Sequence, residues 1–257
     1  MSEFHQGPPI KLGTVEKTQT GISGFDFIST GGLPRNRMTL CSGSAGSGKT
    51  VFGAQFLVEG ILQFGEHGVF VSFEESAEDI KQNLLSFGWD LNGLEEQGKW
   101  ATVDASPQPL DEVVIAGDYD LGALLARIEF AIESVGAKRV VLDTVGALFD
   151  TFTDAKKMRR ELLRIAHALR DMGVTTILTA ERLSEYGEIA RYGIEEFVVD
   201  NVILLRNILE SEKRRRTIEI LKFRGTLHHK GEYPFSIMPE EGIVVIPLSA
   251  MVLKQRS

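Results

Sequence analysis

The chain has 257 residues, 43% of them hydrophobic, a formal charge of −8 and a single cysteine. That is enough for one large core, it excludes an internal disulfide, and no apolar run approaches the ~20 residues that span a bilayer. A net negative field repels nucleic-acid backbones on average, so the balance argues against a dedicated DNA or RNA binder. The N-terminus is polar, contains Pro8-Pro9 and shows no signal-peptide pattern, so a cytoplasmic protein is expected.

Residues 1–20 lack periodicity and read as a flexible N-terminal tail. An amphipathic turn around Ile22, Phe25 and Ile28 follows, then the loop Gly31-Gly32-Leu33-Pro34. Arg37 to Ser42 reads as a buried strand, which makes Cys41 a core residue rather than a reactive thiol. Lys49 to Phe64 reads as a helix, Val69 to Phe73 as a strand, Ala77 to Phe87 as a helix and Trp100 to Val103 as a strand. A loop over 111–120 leads to a helix at Leu121 to Val135, whose Leu121, Leu124, Leu125, Ile128 and Ile132 share one face. Val140 to Leu142 is a strand, Met158 to Met172 a helix, and Val174 to Leu178 a strand.

Strands separated by helices indicate a mainly parallel sheet covered on both faces. Phe197 to Leu205, Thr217 to Phe223 and Ile243 to Ile246 read as strands without long helices between them. The expected fold class is therefore α/β: a parallel central sheet flanked by helices, with antiparallel C-terminal strands.

Gly43-Ser44-Ala45-Gly46-Ser47-Gly48-Lys49-Thr50 satisfies the pattern G-x-x-x-x-G-K-S/T between a predicted strand and a predicted helix. The glycines let the backbone curl so that successive N–H groups point inward, and the helix start favours an anion. The expected ligand is ATP, cradled by Ser44, Ala45, Gly46, Ser47, Gly48, Lys49, Thr50 and Val51. Lys49 is expected to reach the β- and γ-phosphates, and Thr50 to offer its hydroxyl to Mg²⁺. Asp143, at the end of an apolar strand, is the expected carboxylate partner of the metal. Glu74 and Glu75 directly follow a strand, at the end of a parallel sheet where ligands bind. One is expected to activate water and one to help the metal shell; both are candidate bases, Glu75 is also a candidate for the metal shell, and spacing leaves open which is the base. The histidines lack metal-ligand spacing with cysteine, so no metal other than Mg²⁺ is expected.

Longer motifs carry a resemblance. Thr20-Gly21-Ile22-Ser23-Gly24-Phe25-Asp26 with Gly31-Gly32-Leu33-Pro34 resembles the lead-in of the RecA/RadA superfamily. Phe73-Glu74-Glu75, Ser86 to Leu91, Asp104 to Pro107, Glu185-Tyr186-Gly187, Ala190 to Gly193, Arg214 to Thr217, Arg224-Gly225-Thr226 and Gly231 to Phe235 look like the N-terminal ATPase half of the KaiC clock ATPases. The resemblance runs from about Thr20 to the end. It implies a RecA-like ATPase domain over 21–248 and a linker-like segment over 249–257, as an excised half or a single-cassette relative of a two-cassette family.

The resemblance also implies a homo-hexamer with ATP at subunit interfaces. Lys222, Phe223, Arg224, Thr226, His228 and Lys230 match positions that line a neighbour's nucleotide, Arg224 acting as an arginine finger in trans. Ser86 matches a position near the base or ribose. Where the family's C-terminal half autophosphorylates a Ser-Thr pair, this chain has Glu196-Phe197, so no autophosphorylation is expected. A KaiB-type clock protein is the implied partner, docking on a loop at about 112–120. The competing function is a RecA/RadA-like DNA-dependent ATPase. Only the basic run Lys213-Arg214-Arg215-Arg216 invites it, and that run is expected at a hairpin tip, without an aromatic stacking platform.

Overall fold

The computed structural model describes residues 15–106, 121–149, 154–193 and 195–247. Strand β1 (Lys17–Thr18) pairs antiparallel with β2 (Leu33–Pro34) around helix α1 (Phe25–Ile28). Hydrogen-bonded structure therefore starts ahead of residue 21, where the tail was expected to end. The reason is polar: the Asp26 carboxylate accepts from Thr20 N at 3.0 Å, Thr20 Oγ1 at 2.7 Å and Gly21 N at 3.1 Å. Lys17 Nζ adds bonds to the carbonyls of Ser29, Thr30 and Leu227.

The chain then alternates: β3 (Met38–Gly43), α2 (Lys49–Phe64), β4 (Gly68–Ser72), α3 (Ala77–Leu84) with a 3₁₀ turn (Leu85–Phe87), α4 (Leu91–Glu96) and β5 (Trp100–Asp104). Next come α5 (Leu121–Val135), β6 (Arg139–Asp143), α6 (Val145–Phe149), α7 (Ala155–Asp171), β7 (Thr175–Glu181) and α8 (Glu195–Val198). Strands β8 (Asn201–Glu210), β9 (Lys213–Phe223), β10 (Glu232–Met238) and β11 (Gly242–Val245) close the described chain.

One nine-stranded sheet runs β11-β10-β9-β8-β3-β7-β6-β4-β5. From β8 to β5 the neighbours are parallel, and β9, β10 and β11 add antiparallel beyond β8. Side chains alternate along each strand. Leu40, Val71, Val140, Leu142 and Leu178 pack on one face with Ile128 of α5 and Leu162 of α7. Cys41, Phe70, Val141 and Ile177 pack on the other with Phe52 and Phe56 of α2. Both registers are apolar because both faces are covered, as a parallel sheet requires.

Two expectations need correction. Lys213 to Arg216 is not a hairpin tip: it is the start of β9, paired with Asn207 to Glu210 of β8, and the tip is Ser211-Glu212. Phe197 belongs to α8, so the strand expected from Phe197 starts at Asn201. Among the described residues no helix is long and apolar enough to cross a membrane.

Candidate nucleotide site

The loop between β3 and α2 curls at two left-handed glycines, Gly46 (φ 71°) and Gly48 (φ 99°). Space is tight as well: a Cβ on Gly48 would lie 2.9 Å from Ile237 Cδ1. Gly48 is the N-cap of the sixteen-residue helix α2 and supplies no side-chain cap. The first N–H groups of α2 thus keep their affinity for an anion. Lys49 Nζ spans the loop, donating to the carbonyls of Gly43 and Ser44 at 3.0 Å each.

The register of the sheet assembles the acidic side. Strands β4 and β6 pair with Ser72 opposite Asp143, so the residues just past their ends meet. Thr50 Oγ1 donates to Asp143 Oδ2 at 2.8 Å, and Thr179 Oγ1 of β7 donates to Asp143 Oδ1. Asp143 is buried, and that burial pushes its carboxyl above the usual range despite the two hydroxyl bonds and the nearby Lys49 charge. Thr144 Oγ1 donates to Glu74 Oε1 at 2.5 Å, which ties Glu74 to the Asp143 strand. Glu75 turns the other way, accepting from Asn83 Nδ2 of α3 at 2.8 Å. The structure thus brings Glu74 to the group formed by Lys49, Thr50 and Asp143 and leaves Glu75 on α3. Burial also raises the Cys41 thiol well above its usual range, which leaves it inert in the core.

The second group of expected residues lies elsewhere. Phe223 pairs with Asn201 and Asn201 with Thr39, at the start of β3, whereas the phosphate loop follows Gly43 at its end. Four residues of strand separate the two levels, roughly 13 Å. Arg224 is 59% exposed and has its guanidinium 3.8 Å from Asp200 Oδ1. Lys222 Nζ donates to the carbonyls of Glu196 (3.2 Å) and Val199 (3.1 Å), and burial lowers its pKa. Phe223 is a core residue, its ring 5.5 Å from that of His228. Burial, then the charges of Lys17 and Lys230, hold His228 below the ordinary histidine range. Thr226 is half-buried and Lys230 exposed. Ser86 Oγ donates to the Asn83 carbonyl at 3.1 Å.

Five residues that touch the site had no role assigned from sequence: Thr179 on Asp143, Thr144 on Glu74, and Glu185, Asn207 and Arg216 around the phosphate loop. Glu185 and Arg216 lie inside motifs that carry the resemblance, but no spacing rule ties them to the loop.

A family model described as "ATPase: KaiC" matches residues 18–250. The chain belongs to the KaiC family. Its KaiC-type ATPase domain is 59% identical over 243 residues to the circadian clock protein KaiC3 of Synechocystis sp., covering 95% of this chain and 48% of that protein. It is 55% identical over 255 residues to the circadian clock oscillator protein KaiC of Thermostichus vulcanus, covering 98% and 49%. To KaiC of Synechococcus elongatus it is 54% identical over 243 residues, covering 95% and 46%. The chain spans about half the length of the curated KaiC relatives it matches.

Proposed function

We propose that this chain binds ATP with Mg²⁺ and hydrolyses it slowly in the cytoplasm, as one subunit of a homo-hexameric ring whose sites are each completed by a neighbour. The observation that carries the reading is the position of Arg224, exposed at the opposite end of the sheet from the phosphate loop of its own chain. An arginine there can reach a phosphate only across an interface. Acting on a neighbour, it would stabilise charge on the transferring phosphoryl group, an effect of roughly 10³–10⁵ in rate.

Within one subunit the roles divide by position. The loop N–H groups and Lys49 would bind and orient the phosphates. Thr50 and Asp143 offer adjoining oxygens, 2.8 Å apart, and oxygen donors suit Mg²⁺. Bound there with the nucleotide, Mg²⁺ would neutralise phosphate charge. Glu74, held by Thr144, is the better-placed acceptor for a proton from water. Glu75 would need to leave Asn83 to join the metal shell.

The loop expected to dock a KaiB-type protein lies outside the described residues. We extend the proposal to that partner, with nucleotide state controlling docking. We also propose that Glu196-Phe197 takes no phosphate from ATP, since neither side chain has a hydroxyl to accept it. The DNA-dependent alternative has less support, because three of the four residues of its basic run are engaged within the chain: Arg214 donates to the Asn207 carbonyl, Arg215 pairs with Glu210, and Arg216 donates to the Gly46 carbonyl.

The test is solution mass with and without ATP·Mg²⁺ alongside phosphate release, for wild type and Arg224→Ala. A nucleotide-dependent hexamer whose release falls on removing Arg224 is the expected result. A monomer with unchanged turnover in the variant overturns the proposal.

A further inference from the structure

A phosphate loop has two sides. Its N–H groups converge on the ligand, which leaves other polar groups of the loop facing outward. Here three consecutive residues are each held by a different element. Ser44 Oγ donates to Glu185 Oε1 at 2.6 Å, from the segment after β7. Asn207 Nδ2 of β8 donates to the Ala45 carbonyl at 3.4 Å. Arg216 Nε of β9 donates to the Gly46 carbonyl at 3.1 Å.

The grips are also joined to one another. Glu185 Oε2 accepts from Asn207 N at 3.0 Å, the Glu185 carbonyl accepts from Arg206 Nε at 3.0 Å, and the Asn207 carbonyl accepts from Arg214 Nη1 at 2.7 Å. Strand alternation accounts for the basic run that sequence left without a use. Arg214 and Arg216 share one face of β9 and serve the phosphate loop and its holder Asn207. Arg215, on the other face, pairs with Glu210 at 3.2 Å.

We infer that Glu185, Asn207 and Arg216 are positioning residues that set nucleotide affinity by fixing the curl of Ser44 to Gly46 before the nucleotide arrives. An unheld loop must lose backbone freedom on binding, and a held loop has already lost it. The inference rests on the proposed nucleotide site and adds that its affinity is controlled from β8, β9 and the segment after β7. Gly46 is the point of leverage: its φ is 71°, and a Cβ there would come 3.3 Å from Asn207 Nδ2.

The experiment titrates the full chain with a fluorescent ATP analogue and measures KM and kcat for ATP. Arg216→Ala should raise Kd and KM roughly tenfold while kcat stays within about twofold, and its nucleotide-free Tm should match wild type. Arg216→Lys, which can still donate to the Gly46 carbonyl, should recover most of the affinity. Arg215→Ala should bind like wild type. If Arg216→Ala fails to fold, Asn207→Ala removes the donor to the Ala45 carbonyl and should show the same rise in Kd. No saturable binding by wild type overturns the nucleotide reading itself. Wild-type binding that Arg216→Ala leaves within twofold, or that Arg215→Ala weakens equally, overturns the clamp and leaves that reading standing.

Discussion

Asp143 sits at the buried end of β6 at 5% exposure, in a place that favours a neutral group over a charged one. Its hydroxyl partners and the Lys49 charge offset only part of the desolvation. A carboxylate so placed weakens the nucleotide-free fold, and a bound cation would repay it. Asp143→Asn should therefore raise the nucleotide-free Tm by about 2–4 °C, the equivalent of ~1 kcal/mol in a domain of this size. It should also lower Mg²⁺-dependent phosphate release by ~100-fold or more. Calorimetry without nucleotide and a release assay check both halves, and a variant that melts below wild type would contradict the first. The phosphate loop and Asp143 were legible in the sequence because local pattern and chemistry coincide there. Glu74 and Glu75 were not separable, since only the Thr144 and Asn83 bonds distinguish them. Glu185, Asn207 and Arg216 were out of reach, lying 141, 162 and 170 residues from their loop partners. Sheet closure, not spacing, makes those contacts.

The long helices were legible because α2, α5 and α7 each run 15 residues or more, enough for a periodic apolar face. Helices α4, α6 and α8 have six, five and four residues and were missed, being under two turns long. Strand β10 was hidden by Pro234, which cannot donate to a ladder but whose carbonyl still accepts from Ile246 N at 2.9 Å. The β8–β9 hairpin was drawn too short because its outer rungs are all basic on β9, Lys213 to Arg216, while on β8 Ile208 and Leu209 stand side by side and give no apolar alternation. Its tip, Ser211 (φ 47°) and Glu212 (φ 66°), joins the Glu210–Lys213 pair with two residues in the left-handed region. That is the geometry of a type I′ turn, for which Asn-Gly is the preferred pair. Replacing Ser211-Glu212 by Asn-Gly should add about 0.5–1 kcal/mol, read as a Tm higher by about 1–4 °C. A lower Tm would show that the native tip makes contacts worth more than its backbone strain.

At the scale of the molecule the sheet places the phosphate loop at one end and Arg224 at the other. In the proposed ring Lys49→Ala and Arg224→Ala should each be inactive alone, but for reasons that lie in different subunits. Mixed in equal amounts before assembly, they should recover about a quarter of wild-type activity: half the subunits keep Lys49, and half of their neighbours keep Arg224. Self-contained sites would give no recovery at all. The separation has a further consequence. A subunit that receives its arginine from one side and gives its own to the other has a giver and a taker, although all its neighbours share one sequence. Dependence in such a ring passes in one rotational sense. A stalled subunit would deprive only the neighbour downstream of it, and the proposed circle would acquire an order of succession that no single chain contains.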